Sequence, residues 1–237
     1  MSASRTISPS LIKAYRHAHY FVHYKEEVLL LKVGFVNHAL GNLLKAQGHS
    51  TAAFITAHNP YSQIASLEQN TRAHERLLNE LSQDDIPVIE GLGTDPADHW
   101  EPEASVLALG ISLVKAQQLA DKFGQNAFIW IANTHGLVNL KLRYRIGEPS
   151  EQELTHWLEH LPTHLQEAAS TMDPYERNWL MTTNDAEQHH WLAPKDWDWN
   201  TPWPNTRPDG CPIALGTELD RMFKLTSNGL ETFFEKS

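Results

Sequence analysis

The sequence predicts an α/β (α+β) protein: a mixed sheet of about five or six strands flanked by helices, followed by a mainly helical, Trp- and Pro-rich C-terminal region. Short apolar runs alternate with amphipathic stretches over residues 1–147, which predicts an α/β domain. Tight turns and helical crossovers both connect these runs, which favours a mixed sheet. After Gly147 the apolar runs stop while Trp and Pro accumulate, so residues 148–237 are predicted to form a separate region.

The first predicted helix begins at Ser8, and the first predicted strand follows at residues 28–33. Ser8 can cap a helix and Pro9 suits its first turn, where the missing N–H has no helical partner anyway. Apolar side chains spaced from Leu11 to Val22 extend this predicted helix. Residues 28–33 are apolar almost throughout, which is typical of a buried strand.

A short helix, a second strand and a long helix are predicted next. Residues 37–47 have a helical pattern, and Gly48 gives that helix a natural C-terminal stop. Residues 51–57 form an apolar strand that ends at the turn pair Asn59-Pro60. The long helix covers residues 62–81. Its predicted core-facing residues are Ile64, Leu67, Leu77, Leu78 and Leu81.

The alternation continues to residue 144. Residues 91–96 are predicted to form a turn-rich connection, because they contain two glycines and a proline. Residues 137–144 alternate polar with apolar side chains, which predicts a half-exposed strand at a sheet edge. The other predicted elements are strands at residues 86–90, 105–111 and 127–132 and a helix at residues 113–123.

The C-terminal region is predicted to be helical and irregular. Ser150 and Glu153 have the spacing of a capping box, which predicts a helix start. Pro162 must kink or split that helix. The chain is predicted to finish with two short amphipathic helices, at residues 215–225 and 228–236.

Composition disfavours several classes of function. The chain carries 19 Lys and Arg against 29 Asp and Glu, a formal charge of −10, so nucleic-acid binding is not expected. Cys211 is the single cysteine, which excludes an intrachain disulfide and a Cys-rich zinc site. The start is polar and the apolar runs are far shorter than a membrane span. We therefore expect a soluble, cytoplasmic protein without a membrane partner.

Three ordered motifs carry a resemblance to a known family. They are Ile-Thr-Ala-His-Asn-Pro-Tyr-Ser at residues 55–62, Glu-Ala-Ser-Val-Leu-Ala-Leu-Gly at 103–110 and Phe-Gly-Gln-Asn-Ala at 123–127. Together they make residues 11–131 resemble a bacterial family catalogued as domain of unknown function 3293. The resemblance implies a soluble bacterial domain. It supplies no activity, cofactor or catalytic residue, so the chemistry has to come from the residues.

Polar residues of these motifs lie at the ends of predicted strands. The strands at residues 105–111 and 127–132 are joined through a helix, so they should be parallel if they share a sheet. If both run antiparallel to residues 51–57, the three motifs meet at one edge. We expect a site there for a small polar or nucleotide-like ligand, with Glu103 as the candidate general base. The candidate ligand-binding residues are Asn59, Ser62, Trp100, Glu103, Ser105 and Gln125.

Each of these residues also has a purely structural interpretation. Asn-Pro pairs form turns that end strands, Ser62 can cap the helix that follows it, and Gln125 can satisfy backbone groups at a strand entry. Strand polarity decides between the interpretations, since parallel strands would place the motifs at opposite edges.

Two alternatives involve the C-terminal region. His156-Trp-Leu-Glu-His160 matches H-x-x-E-H, so His156 and His160 are candidate metal ligands. Trp197, Trp199 and Trp203 lie in a Pro-rich segment and are candidates for binding a protein partner. The sequence identifies no cofactor.

Overall fold

The computed structural model describes residues 5–97, 100–160, 166, 169–170, 174–182, 221–226 and 229–235. Two compact units divide the chain. One is His17–Tyr144, and the other joins Met1–Arg16 with Arg145–Ser237. Within the described ranges, no helix is both long and apolar enough to cross a membrane.

Strands and helices are interspersed along the chain, but several strands follow one another directly and do not alternate with helices as predicted. The described strands are β1 (Thr6–Ile7), β2 (His19–Tyr24), β3 (Glu27–Leu31), β4 (Ala52–Thr56), β5 (Val88–Thr94), β6 (Glu103–Leu109), β7 (Ala127–Ile131), β8 (Asn139–Leu142), β9 (Arg145–Ile146), β10 (Arg221–Thr226) and β11 (Gly229–Glu235). The described helices are α1 (Pro9–His17), α2 (His38–Ala46), α3 (Leu67–Gln83), α4 (Leu113–Lys122), α5 (Glu151–His160) and α6 (Pro174–Met181). The predicted α+β class is therefore confirmed.

Seven strands form one sheet in the order β3-β2-β5-β6-β4-β7-β8. Every neighbouring pair is antiparallel, so the sheet is not mixed as predicted. β6 and β7 do run parallel to each other, but β4 lies between them and pairs antiparallel with both. Both strands therefore begin at the edge where β4 ends, and the polarity required for the three motifs to meet is present.

The sheet curls, so that the residues after β3 approach those before β8. The backbone N–H of Gly34 donates to the carbonyl of Val138 at 2.8 Å, and the N–H of Val138 donates to the carbonyl of Phe35 at 3.0 Å. α2 begins directly afterwards, with Asn37 as its cap: the Asn37 Oδ1 accepts from the N–H of Leu40 at 2.9 Å.

α3 and α4 contribute to the core together with the central strands. Ile55 of β4 lies opposite Val106 of β6, and Ala53 lies opposite Ala108, which places these side chains on one face. Leu77 and Leu119 belong to the same buried cluster, one from each helix. This packing fixes the position of α3 beside the end of β4.

Two local predictions for residues 1–144 were wrong. The first helix does not reach Val22, because α1 ends at His17 and residues 19–24 form β2. The predicted turn around Gly91 is part of β5. A side chain at residue 91 would overlap the ring of Phe54, so this glycine permits close packing within the sheet.

The long helix starts later than predicted. Ser66, not Ser62, is the N-cap of α3, and it forms a capping box with Gln69. Ile64 and Leu67 therefore lie outside the buried face of the helix and are 97% and 80% exposed. The buried face is made by Asn70, Ala73, Leu77 and Leu81.

Three structural predictions concern the C-terminal region. The kink or split at Pro162 lies outside the described residues, and the other two had different outcomes. The capping box at α5 is confirmed: Ser150 Oγ accepts from the N–H of Glu153 at 3.2 Å, and Glu153 Oε2 accepts from the N–H of Ser150 at 2.8 Å. The two final helices were wrong where the chain is described, because β10 and β11 pair as an antiparallel hairpin. The sequence pair Asn228-Gly229 is a strong hairpin signal that the helical periodicity obscured.

Replacing Gly91 with alanine should destabilise the protein by about 1–3 kcal/mol, because the new Cβ would lie 2.7 Å from the backbone oxygen of Phe21 and against the Phe54 ring. Gly93→Ala is the matched control on the same strand, since the nearest atom to its Cβ would be 3.8 Å away. Urea denaturation measures both. Equal losses for the two variants would show that close packing does not require the glycine at residue 91.

Candidate functional site

Asn59 follows β4 and bonds both to α3 and to the start of β6. Its Nδ2 donates to Glu103 Oε1 at 2.7 Å. Its Oδ1 accepts from the N–H of Ala65 and from Asn70 Nδ2, each at 3.0 Å. The backbone N–H of Asn59 donates to Asn70 Oδ1 at 2.9 Å. These four hydrogen bonds fix the orientation of the side-chain amide that faces Glu103.

Glu103 is the first residue of β6 and its side chain is half-buried. Among the described residues, only Asn59 bonds the carboxylate, and it does so through Oε1, which leaves Oε2 for a ligand. Burial raises the pKa of Glu103, and the hydrogen bond from Asn59 lowers it by less. A carboxyl whose pKa is raised binds a proton more strongly than an exposed glutamate does, which suits a general base.

The segment between β4 and α3 contains three non-glycine residues in the left-handed backbone region. The φ angles are 48° at Asn59, 59° at Tyr61 and 58° at Ser62. Such residues cost about 1–3 kcal/mol each unless the surroundings hold them. Hydrogen bonds hold this segment: the N–H of Tyr61 donates to the carbonyl of Gly124 at 2.6 Å, and the N–H of Ser62 donates to the carbonyl of Asn59 at 2.8 Å.

Residues before β7 support the same segment from the other side. Gln125 Nε2 donates to the backbone carbonyl of His58 at 2.9 Å. Asn126 Nδ2 donates to Ser62 Oγ at 3.0 Å. Both amide side chains are buried, whereas Ser62 is exposed, so these two hydrogen bonds are partly buried. The three motifs therefore meet at one edge of the sheet.

The predicted site residues take different positions at this edge. Asn59 and Glu103 are directly bonded, while Gln125 and Ser62 contact the same segment through His58 and Asn126. Ser105 is buried, and its Oγ donates to the backbone carbonyl of Glu103 at 3.0 Å. Trp100 is half-buried at a bend before β6. The contacts of Gln125 and Ser105 match backbone-supporting roles, whereas Glu103 Oε2 has no partner in the part of the chain that the structure describes.

Asn70 is a part of this arrangement that the sequence reasoning missed. It lies on the buried face of α3 with Ala73 and Leu77, where an apolar side chain would be usual. Its amide bonds Asn59 twice, once through each polar atom. A polar residue in the apolar stripe of a helix was the signal that could have identified it.

His58 and His74 form a second contact between α3 and the segment after β4. Their ring centroids are 6.0 Å apart with an interplanar angle of 88°. Burial lowers the pKa of both imidazoles. The neighbouring His74 lowers the pKa of His58 further. Glu90 and Glu75 partly offset the effect of burial on the pKa of His74.

An open groove of about 650 Å³ runs along α3 beside the same segment. Its lining includes Pro60 and Ala65, which precede α3, and Arg72 and Arg76 of the helix. Glu103 does not line it. The groove and the carboxylate are separate features of this surface.

The C-terminal candidates are described only in part. The rings of His156 and His160 are tilted at 45° with centroids 4.1 Å apart, and His160 Nδ1 is 2.7 Å from the backbone oxygen of His156, within hydrogen-bond distance. Among the described residues, no three His, Cys, Asp or Glu side chains are placed to hold a metal ion. Trp197, Trp199 and Trp203, the predicted partner-binding residues, lie outside the described ranges.

Asn59→Gly should cost about 2–3 kcal/mol, because Asn70 Nδ2, the N–H of Ala65 and Glu103 Oε1 lose the Asn59 side chain while the left-handed backbone stays accessible. Asn59→Ala should cost about 1 kcal/mol more, since alanine also disfavours that backbone region. Chemical denaturation of the two variants separates the hydrogen bonds from the conformational cost. A loss below 1 kcal/mol for Asn59→Gly would contradict the importance of these bonds.

Glu103→Gln should stabilise the protein at neutral pH. Because the folded state raises the pKa of Glu103, it favours the protonated carboxyl, and that contribution is lost as pH rises through the folded-state pKa. Glutamine remains uncharged and can still accept the hydrogen bond from Asn59. The stability gap between variant and wild type should therefore close as pH falls toward about 4.

Urea denaturation between pH 4 and pH 7.5 measures this gap, and Glu101→Gln is the control because Glu101 is exposed. A Glu103→Gln variant less stable than wild type at pH 7 would show that the site favours the charged carboxylate.

Comparison with known proteins gives one match. No curated protein and no solved structure matches the chain. A family model does, over residues 55–128, a segment that extends from β4 to β7 and includes the three motifs. The match is narrower than the resemblance inferred from the motifs. Over residues 55–128, the chain thus matches the family described as "Protein of unknown function (DUF3293)".

Proposed function

We propose that the protein binds a small polar or nucleotide-like ligand at the sheet edge, with Glu103 accepting a hydrogen bond or a proton from it. One observation carries the proposal: the half-buried carboxyl of Glu103 is oriented through Oε1 by Asn59, while Oε2 has no partner among the described residues. Oε2 is not among the buried unpartnered atoms of the described residues, so it is reachable from solvent and can accept a hydrogen bond from a ligand.

The charge of the site favours a particular chemistry in the ligand. A carboxylate attracts N–H and O–H donors and repels phosphate. A nucleobase, a nucleoside or another donor-bearing molecule fits this requirement better than a free phosphate does. Trp100, three residues before Glu103 in the chain, is our candidate for stacking against a planar ligand.

The arrangement around Glu103 also fits preorganisation. The left-handed residues Asn59, Tyr61 and Ser62 are held by hydrogen bonds from the β7 side and from α3. Local strain that the surroundings maintain is common at binding sites, because it fixes polar groups before a ligand arrives. The structural interpretation explains why this segment is a turn, but it does not require a half-buried carboxylate beside it.

A thermal-shift screen tests this proposal, using adenosine, guanosine, cytidine, uridine, glucose and spermidine on the full chain. A ligand present at about 100 times its Kd stabilises the folded state by about 2.7 kcal/mol. We expect at least one nucleoside to raise the melting temperature of wild type and of Glu101→Gln. Glu103→Gln should lose that shift.

Two results would refute the proposal. One is the absence of a shift from every compound on wild type. The other is an equal shift for wild type and Glu103→Gln, which would place any binding elsewhere on the protein.

A further inference from the structure

We propose that the His58–His74 pair is a proton-sensitive contact that controls access to Glu103: when the pair takes up a proton in mild acid, its rings separate, Asn59 leaves Asn70, and the Glu103 carboxyl becomes exposed. This inference deepens the proposed function, because it concerns regulation of the same site.

Two contacts attach α3 to the segment that follows β4, and they are one helical turn apart. Asn70 and His74 are separated by four residues, so they lie on the same side of α3. Asn70 bonds Asn59, and His74 contacts the ring of His58, the residue just before Asn59. Movement at the histidine pair is therefore transmitted to Asn59 through a single peptide bond.

The surroundings of His58 and His74 favour two uncharged imidazole rings. Among the described residues, the buried Nδ1 of His74 has no hydrogen-bond partner. A protonated imidazole has N–H donors on both nitrogens, so charging His74 would bury an unsatisfied donor. Charging His58 as well would place two cations in contact. Either step disfavours the closed arrangement.

Carboxylates near the pair favour the charged form of His74, but their effect on its pKa is smaller than that of burial. Glu90 on β5 and Glu75 on α3 raise the pKa of His74, yet burial has the larger effect and lowers it. Burial and His74 together lower the pKa of His58. Because both pKa values are lowered on folding, the stability of the closed arrangement is lost as pH falls below about 6.5, the usual pKa of histidine.

Opening at this pair has a defined consequence for the site. Asn59 Nδ2 is the group that covers Glu103 Oε1, and its position depends on the bonds of Asn59 to Asn70 and Ala65. Once those bonds are broken, both carboxylate oxygens can accept from a ligand. Mild acid would thereby change the affinity of the site without unfolding the sheet.

Hydrogen exchange on the full chain tests the inference without a ligand. The amides of Asn59 and Ala65 are both bonded in the closed arrangement, so they report its opening. Their protection factors in wild type should fall by about tenfold between pH 7.5 and pH 5. The amide of Phe54, in the centre of β4, should keep its protection.

Variants identify the groups responsible. The double variant His58→Phe, His74→Phe keeps two aromatic rings but has no titrating nitrogen. It should abolish the fall in the protection factors of Asn59 and Ala65. His38→Gln, an exposed histidine on α2, and Glu103→Gln should both retain it. In wild type, the NMR signal of Asn59 Nδ2 should change with the same midpoint as the two histidine rings, which keeps the test valid if the double variant folds poorly.

Three results would overturn the inference. The protection factors of Asn59 and Ala65 do not fall in acid, the protection factor of Phe54 falls equally, or the Asn59 Nδ2 signal does not change with the midpoint of the histidine titration. None of them depends on a ligand. Failure of the ligand screen with a positive exchange result would leave the proton-sensitive contact in place and remove the proposed function.

Discussion

The arrangement at the sheet edge depends on the side-chain amide of Asn59. One amide joins three parts of the fold that are distant in sequence: the end of β4, the first turns of α3 and the start of β6. An amide is suited to this because it both donates and accepts, whereas a carboxylate in its place would repel Glu103. Asparagine also tolerates the left-handed backbone at this position better than most residues do.

The antiparallel pairing of β4 with both β6 and β7 is what brings these groups together. It places two strand starts beside one strand end, so the polar residues flanking the strands share an edge. The buried amides of Gln125 and Asn126 then hold the segment from one side while Asn70 holds it from the other. A polar network of this kind is stable in the interior only when its members are satisfied. Within the described ranges, Glu103 is the member of this network whose second carboxylate oxygen has no partner.

Much of this arrangement could be predicted from the sequence, and the physical reasons for the failures are specific. Apolar runs identified β4, β6 and β7 because buried strands are apolar on both faces. The apolar run at residues 28–33 also identified β3, but the predicted burial was wrong, since β3 is an edge strand in which Val28 and Leu30 are exposed. β2 was missed because its alternation, His-Tyr-Phe-Val-His-Tyr, follows α1 with only one residue between them. The shared edge of Asn59 and Glu103 could be predicted from the relative directions of β4, β6 and β7, because a helical connection favours parallel directions for β6 and β7.

Contacts made across the fold could not be predicted in the same way. Asn70 and His74 contact the segment after β4 because α3 packs against the central strands, and sequence spacing contains no information about that partner. The start of α3 depended on a choice between Ser62 and Ser66, and Gln69 three residues after Ser66 decides it through the capping box.

The most direct test of this account is a ¹³C NMR titration of the Glu103 side-chain carboxyl in the full chain. The account predicts a pKa above the ordinary glutamate value of about 4.5, and a still higher one in Asn59→Gly, which lacks the hydrogen bond that favours the charged form. A pKa at or below about 4.5 would show that the folded protein does not disfavour the charged carboxylate, and it would contradict the candidate site.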